Sequence, residues 1–308
     1  MGDSRPVQKK VAIVTGATSG IGIDLARDLV SRNYKVAVVG RRASAGEQIA
    51  ASLNDDAGDD DRAHFFAADV SSYASQAAMF RAVWARWGRI DALCANAGIV
   101  DQSSAYLLDG GAAATTTTNI DDVPPAPDLA CTDADWKGVV YGTRLAVHFM
   151  RQNAAAAPGP GRGGKVVVTG SVAAVFPHPT YPEYCGAKAA VAQFVRAAAP
   201  VWMRRHGVAV NVVHPGIVDT PIVPREMIEA VSAECLTPVE TVLRAYRLFL
   251  DDETGMTGKN VEASGDKLHF YELPDMGNGE VTKRSVTVWE PLFAMMHHEK
   301  SGLPDAIN

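Results

Sequence analysis

The chain has 308 residues, 47% hydrophobic and 21% charged, a balance that builds a sizeable core and excludes a disordered or fibrous chain. Lys and Arg number 29 against 35 Asp and Glu, a net charge of −6, so neither nucleic acid nor an anionic membrane is an expected partner. No stretch approaches the ~18 uncharged apolar residues of a membrane span, and the first ten residues lack the apolar stretch of a signal peptide. Cys94, Cys131, Cys185 and Cys235 form no C-x-x-C pair and read as reduced thiols of a cytoplasmic protein.

Taken in chain order, residues 11–15 (VAIVT) and 35–39 (KVAVV) are short β-branched apolar runs, and 90–95 (IDALCA) is a weaker third. Between them, residues 21–32 place Ile21, Leu25, Leu29 and Val30 on one side of a helix. Residues 74–87 do the same with Ala78, Phe80, Val83, Trp84 and Trp87. The pattern resumes with a strand at 165–169 (KVVVT), a long helix near 183–206 and a strand at 208–213 (VAVNVV). Apolar strands alternating with helices imply a doubly wound parallel sheet in one α/β domain. Three segments interrupt it: an acidic run at 54–61 (NDDAGDDD) reads as a solvated loop, 112–127 with four threonines and three prolines as a long loop, and 154–164 (AAAAPGPGRGG) as a flexible connector.

The strongest local signal is Thr15-Gly-Ala-Thr-Ser-Gly-Ile-Gly22, at the end of the first strand and the start of the first helix. Gly16, Gly20 and Gly22 permit a tight turn, close approach of backbone to a pyrophosphate, and close helix–strand packing. The helix start then offers free N–H groups and a positive dipole end to the phosphates. Tyr184-Cys-Gly-Ala-Lys188 supplies a second signal, with phenol and ammonium at i and i+4 on one helix face. Taken alone, such a pair is an ordinary surface contact. Its chemical reading is that a neighbouring cation favours phenolate and brings a tyrosine toward general acid–base work. Ser171 lies just past the strand at 165–169, on the edge where ligands bind in a doubly wound sheet.

With these motifs the chain resembles the short-chain dehydrogenase/reductase family, the group with a T-G-x-x-x-G-x-G turn and a Y-x-x-x-K pair. The resemblance spans residues 8–270 and implies a single Rossmann domain with insertions near 101–130 and 154–164, leaving 271–308 as a C-terminal extension. It implies that Asp69 and Val70 meet the adenine and that Asn96-Ala-Gly98 closes the fourth strand. Pro215, Gly216, Val218 and Thr220 would meet the nicotinamide amide, and Thr15, Gly16, Ser19, Gly20, Ile21 and Gly22 the phosphates. Tyr184 would exchange the substrate's hydroxyl proton, Ser171 would hydrogen-bond its oxygen, and Lys188 would bind the nicotinamide ribose. The family's fourth catalytic residue is an Asn, and here Asp135 stands in its place; its alternative reading is a helix N-cap. The stretch at 137–145 is similar to the fungal branch near 15-hydroxyprostaglandin dehydrogenase, implying a secondary alcohol or ketone of a lipid or secondary metabolite.

The second strand ends at Gly40, followed by Arg41 and Arg42. An acidic residue there would bind the 2′-hydroxyl of NAD, whereas glycine and arginine suit the 2′-phosphate of NADP. NADP is therefore the expected cofactor, with Arg41 as its phosphate ligand. No metal is expected, since His297-His-Glu299 lacks metal-site spacing. The expected partners are a small alcohol or ketone and further copies of the chain, as a homodimer or homotetramer. Two alternatives stay open: a catalytically silent NADP(H)-binding regulator, and an enzyme using the scaffold for cyclisation or dehydration without net redox change.

Overall fold

Apolar runs become strands and amphipathic stretches become helices in a computed structural model that describes residues 9–108, 120–121, 123–153 and 163–308. The four-threonine run and most of the 154–164 connector lie outside the described residues. The first half comprises β1 (Val11–Thr15), α1 (Ile21–Ser31), β2 (Lys35–Gly40), α2 (Ala43–Ala57), β3 (Ala63–Ala67), α3 (Tyr73–Trp87) and β4 (Ala92–Ala95). A π-helical turn (Thr132–Lys137) then runs into α4 (Gly138–Met150), followed by β5 (Gly164–Thr169), α5 (Pro182–His206) and β6 (Val208–Pro215). The chain closes with α6 (Arg225–Ala230), α7 (Val239–Leu250), β7 (Asn260–Ser264), β8 (Lys267–Phe270), α8 (Gly279–Val286) and α9 (Glu290–His297).

The sheet order is β3-β2-β1-β4-β5-β6-β7-β8, with every neighbouring pair parallel except β7 and β8. This is the expected doubly wound parallel sheet with one antiparallel strand added at its edge, where a two-residue turn at Gly265 and Asp266 folds β8 back on β7. Alternation along each strand decides which face a side chain enters. Ala12, Val14, Val36 and Val38 pack with Leu25, Leu29, Tyr246 and Phe249 of α1 and α7. Val11, Ile13, Ala37 and Val39 pack on the other face with Phe80, Leu145, Val191 and Val195 of α3, α4 and α5. Each fully buried Val, Leu, Ile or Phe side chain contributes roughly 1.5–3 kcal/mol, so both cores hold the sheet between its helices.

Strand order reverses between β1 and β4, and a crevice opens at the carboxyl ends there, as it must in a doubly wound sheet. The acidic run at 54–61 is not simply a solvated loop. Its first residues complete α2, Asn54 accepts from the Ala63 amide at 2.7 Å, and Asp59 pairs with Lys9 at 2.6 Å. Beyond β8, the terminal segment folds back on the end of α5, where Glu299 forms an ion pair with Arg205. Among the described residues no helix is long and apolar enough to cross a membrane, and all four cysteines are free thiols.

Candidate active site

The turn between β1 and α1 forms the floor of the crevice. Gly16 and Gly20 have φ of +68° and +52°, which side-chain-bearing residues rarely adopt. A Cβ on Gly22 would lie 2.2 Å from the Gly16 carbonyl, so the helix can start this close to the turn only with glycine there. Thr15 fixes the opposite wall: its hydroxyl accepts from the Asn96 and Ala97 amides at 3.0 and 3.1 Å. Asn96 returns the contact by donating from Nδ2 to the Thr15 carbonyl at 3.1 Å, and it accepts from the Thr169 hydroxyl at 3.0 Å. The glycine cradle, the amide-bearing start of α1 and the open groove beside them fit a dinucleotide.

The crevice has two ends that share Gly16, Ser19, Ala97 and Gly98. At one end stand Gly40, Arg41, Arg42, Asp69 and Val70. Gly40 lies against Thr18, where a Cβ would approach the threonine methyl to 2.7 Å, and Arg42 donates to the Thr18 carbonyl at 3.0 Å. Asp69 accepts from the Ser71 hydroxyl at 2.7 Å; that bond first, and Arg41 to a lesser degree, holds its carboxyl below the usual range. At the other end lie Gly20, Ile21, Asn96, Asp135, Ser171, Tyr184, Lys188, Pro215, Gly216, Val218 and Thr220. Of the residues singled out from the sequence, Thr15 and Gly22 line neither end; they sit beneath the surface and shape it.

Ser171 follows β5 and is nearly buried, its hydroxyl accepting from the Ala173 amide at 3.1 Å. Tyr184 and Lys188 come from the first turns of α5, with the ammonium 5.4 Å from the phenol ring's centroid. The Lys188 Nζ donates to the Thr169 carbonyl at 2.9 Å and lies 3.0 Å from Oδ2 of Asp135. Burial is the largest influence on both members of this pair, opposing the charge on Lys188 and pushing the Asp135 carboxyl up. Asp135 and Tyr184 together leave the lysine's pKa raised, while Lys188 and the Ile99 amide pull the carboxyl back down. Asp135 is not a helix N-cap. It sits within the π-helical turn, wholly buried, with Oδ1 accepting from the Ile99 amide at 2.8 Å. Such one-turn widenings recur at functional sites because they redirect a side chain.

Three supporting residues escape a reading of motifs alone. Asp101 crosses from the loop after β4 and accepts from the Glu183 and Tyr184 amides at 3.0 and 2.8 Å, fixing the start of α5. Thr169 links Asn96 to Lys188 through its hydroxyl and its carbonyl. His214, fully buried in β6, places Nδ1 3.1 Å from the Ser171 amide and 2.9 Å from the Ser171 carbonyl, and Nε2 2.8 Å from Oδ1 of Asn260. The tautomer with its proton on Nε2 donates to Asn260 and accepts from the Ser171 amide. Burial pushes its pKa below the usual histidine value, in keeping with a neutral ring. The sequence signal for His214 was its place immediately before Pro215-Gly216; nothing local indicates that it reaches Ser171.

Around Tyr184 the wall is mostly apolar, with Tyr181, Ile217, Ile222, Val223 and Met227 on the substrate side. Residues 221–233 include α6 and supply several of these side chains. None of the residues lining the two ends comes from 271–308, so within one chain that segment is not pocket wall. His297, His298 and Glu299 are exposed. Asp101, Cys131 and Glu183 bring ligand-type atoms within 4.8 Å of one another, but each is engaged: Asp101 as above, Cys131 with the Ile99 carbonyl, and Glu183 with the Thr132 amide.

The family model described as short chain dehydrogenase matches residues 10–229. The chain is 56% identical to the short-chain dehydrogenase/reductase prx6 of Penicillium rubens, over 97% of this chain and 98% of that one. It is 32% identical to the mouse 15-hydroxyprostaglandin dehydrogenase [NAD(+)], over 70% of each chain. Its fold matches a 3-ketoacyl-(acyl-carrier-protein) reductase from Brucella melitensis, solved with NADH, at a TM-score of 0.67 and 22% identity, covering 84% of this chain and 98% of that one. The chain belongs to the short-chain dehydrogenase/reductase family and is a NAD(P)-dependent oxidoreductase acting on the CH–OH group of donors.

Proposed function

We propose that the protein interconverts a secondary alcohol and its ketone on a lipid-like or secondary-metabolite substrate, with NADP(H) preferred over NAD(H). The observation that carries the chemistry is the convergence of Ser171, Tyr184 and Lys188 in one crevice at the carboxyl edge of the sheet. The nicotinamide, when bound, gives or takes the hydride at the carbinol carbon. In the reducing direction Tyr184 donates its hydroxyl proton to the substrate oxygen, while the Ser171 hydroxyl hydrogen-bonds that oxygen and orients it. Lys188, held by Thr169 and Asp135, keeps a cation beside the phenol and has a further N–H available for the ribose. The Thr15-to-Gly22 turn would hold the pyrophosphate, and Asp69 and Val70 would border the adenine.

Three features support NADP. No carboxylate stands at the end of β2, Arg41 lines the groove there, and Arg42 lies alongside. A guanidinium pairs with a phosphate through parallel hydrogen bonds, whereas the 2′-hydroxyl of NAD calls for an acceptor. The relatives named for NAD or NADH do not share this chain's identity closely enough to transfer that preference. The apolar wall from Tyr181 to Met227 supports an apolar substrate. We take residues 8–270 as the catalytic domain and 271–308, with Trp289, Met295 and Met296 exposed, as an extension at the contact between copies of a cytoplasmic homodimer or homotetramer.

The test is a panel of alicyclic and long-chain alcohols and ketones, following the absorbance of the reduced nicotinamide with each cofactor. Turnover preferring NADP(H) is the expected outcome. Tight NADP(H) binding with no turnover on any member would favour the regulatory reading, and product without cofactor consumption would favour the non-redox one.

A further inference from the structure

A buried carboxylate stands directly behind the lysine of the proposed proton-transfer pair. Asp135 Oδ2 lies 3.0 Å from the Lys188 Nζ, with side-chain exposures of 0% and 4%. The carboxylate is held on its other side by the Ile99 amide. The loop after β4 closes over it so tightly that a Cβ on Gly98 would lie 2.7 Å from Oδ2. Solvent therefore screens this pair little, and its charges act at longer reach than an exposed pair's would.

Burial raises the pKa of Asp135, and the Lys188 ammonium and the Ile99 amide at 3.0 and 2.8 Å act against it to favour the carboxylate. Lys188 is the cation facing Tyr184, and that negative charge beside it cancels part of its field at the phenol hydroxyl. The other groups around Lys188 leave that balance in place. Cys131, just before the π-helical turn, is a thiol whose pKa burial pushes up. Burial holds the pKa of the His214 ring of β6 below the usual histidine value. Glu183 on α5 is spent on the Thr132 amide at the start of the π-helical turn and Asp101 after β4 on the amides at the start of α5, and both carry the same sign as Asp135. Thr169 of β5 contributes a carbonyl and no charge.

We propose that Asp135 is a positioning residue that fixes the Lys188 ammonium and offsets its charge at the Tyr184 hydroxyl, so that the hydroxyl keeps its proton to higher pH and the site favours proton donation to a carbonyl. The proposal rests on the oxidoreductase reading only for its direction; the electrostatic part stands on the ion pair itself. Enzyme and equilibrium stay distinct: Asp135 moves the pH range over which each direction runs, not the balance between alcohol and ketone. With a negative charge in this place, alcohol oxidation is displaced toward alkaline pH and ketone reduction extends upward from neutrality.

The test is an ultraviolet difference titration of the full chain. Subtracting the Tyr184→Phe titration from that of the parent isolates phenolate formation at Tyr184, with or without a known substrate. The same subtraction is made in an Asp135→Asn background, which keeps the side-chain shape and removes the charge. The phenolate should appear about one pH unit lower in Asp135→Asn, and the acid limb of the alcohol-oxidation profile should move by the same amount. Coincident midpoints would overturn the proposal, as would a uniform loss of rate at every pH with an unmoved limb, which is what a purely structural role gives. If Asp135→Asn does not fold, Asp135→Ser makes the same comparison with a smaller neutral side chain. A shifted titration together with no redox turnover on any substrate would keep the electrostatic role and remove the oxidoreductase reading, which separates the two failures.

Discussion

The two ends of the crevice are built by different means. The end bordered by Arg41, Arg42 and Asp69 is open and polar, and its shape comes from short segments, the β1–α1 turn and the ends of β2 and β3. The end holding Ser171, Tyr184 and Lys188 is closed from behind by buried groups drawn from distant parts of the chain: Asp135, Thr169, His214 and Asp101. The first can bind by placing donors around a groove. The second must hold a phenol, a hydroxyl and an ammonium in fixed relation, which takes partners that do not relax. Recognition can therefore be changed at one end by a single exposed residue, whereas chemistry at the other depends on a connected network.

Breaking the chemical end should have the largest effect. Tyr184→Phe removes the proton donor while keeping the ring, and turnover should fall about 10²–10⁴-fold with cofactor affinity nearly unchanged; steady-state rates and fluorescence titration of NADPH check both halves. Retained turnover would unseat Tyr184 from its role. Arg41→Ala acts at the other end and should raise the KM for NADPH about ten- to a hundredfold, the scale of a charge-assisted hydrogen bond, with little change for NADH. Equal effects on both cofactors would remove Arg41 as the selector.

His214→Leu sharpens the contrast, because its target is a partner and not a reacting group. Leaving the Ser171 amide and Asn260 Oδ1 unpaired should cost about 1–3 kcal/mol in unfolding free energy. It should also lower kcat, and a combined His214→Leu and Ser171→Ala chain should be no slower than Ser171→Ala alone. Additive losses would mean that His214 does not act through Ser171. The smallest effect concerns pH. The buried folded ring has a pKa below the ordinary 6.5, so the unfolded chain binds a proton there first. Stability contributed by His214 is present above pH 6.5 and lost as pH falls toward the folded value. Thermal unfolding followed across pH should show that acid-side slope in the parent and a flatter one in His214→Leu.

How much of this the sequence displayed follows the same division. The glycine turn, the Arg41 position and the Tyr184–Lys188 spacing are contiguous, so their geometry is set by local rules of strand, turn and helix. β5 and β6 were legible as valine-rich runs, broken in β6 by Asn211, because both their faces are covered. β3 was harder, since its AHFFA sequence belongs to an edge strand with mixed exposure. The β7–β8 hairpin hid behind the polar residues of Ser264, Asp266 and Lys267, although Gly265 with φ of +54° marks its turn. The acidic run at 54–61 misled because Asn54 and Asp59 find partners 9 and 50 residues away, which no local pattern reveals. Asp135 is the clearest case. Its motif position pointed at the site, but whether its carbonyl or its carboxylate faced Lys188 depended on the π-helical turn and on the packing of the loop after β4.

The central claim is that this crevice transfers a hydride between nicotinamide and a carbinol carbon. It is tested most directly with reduced NADP deuterated at C4 on the transferred face and a ketone drawn from the substrate panel. Mass spectrometry should find one deuterium on the carbinol carbon of the alcohol, with cofactor oxidised in equal amount and both signals lost in Tyr184→Phe. Product free of deuterium, formed with the cofactor still reduced, would contradict it.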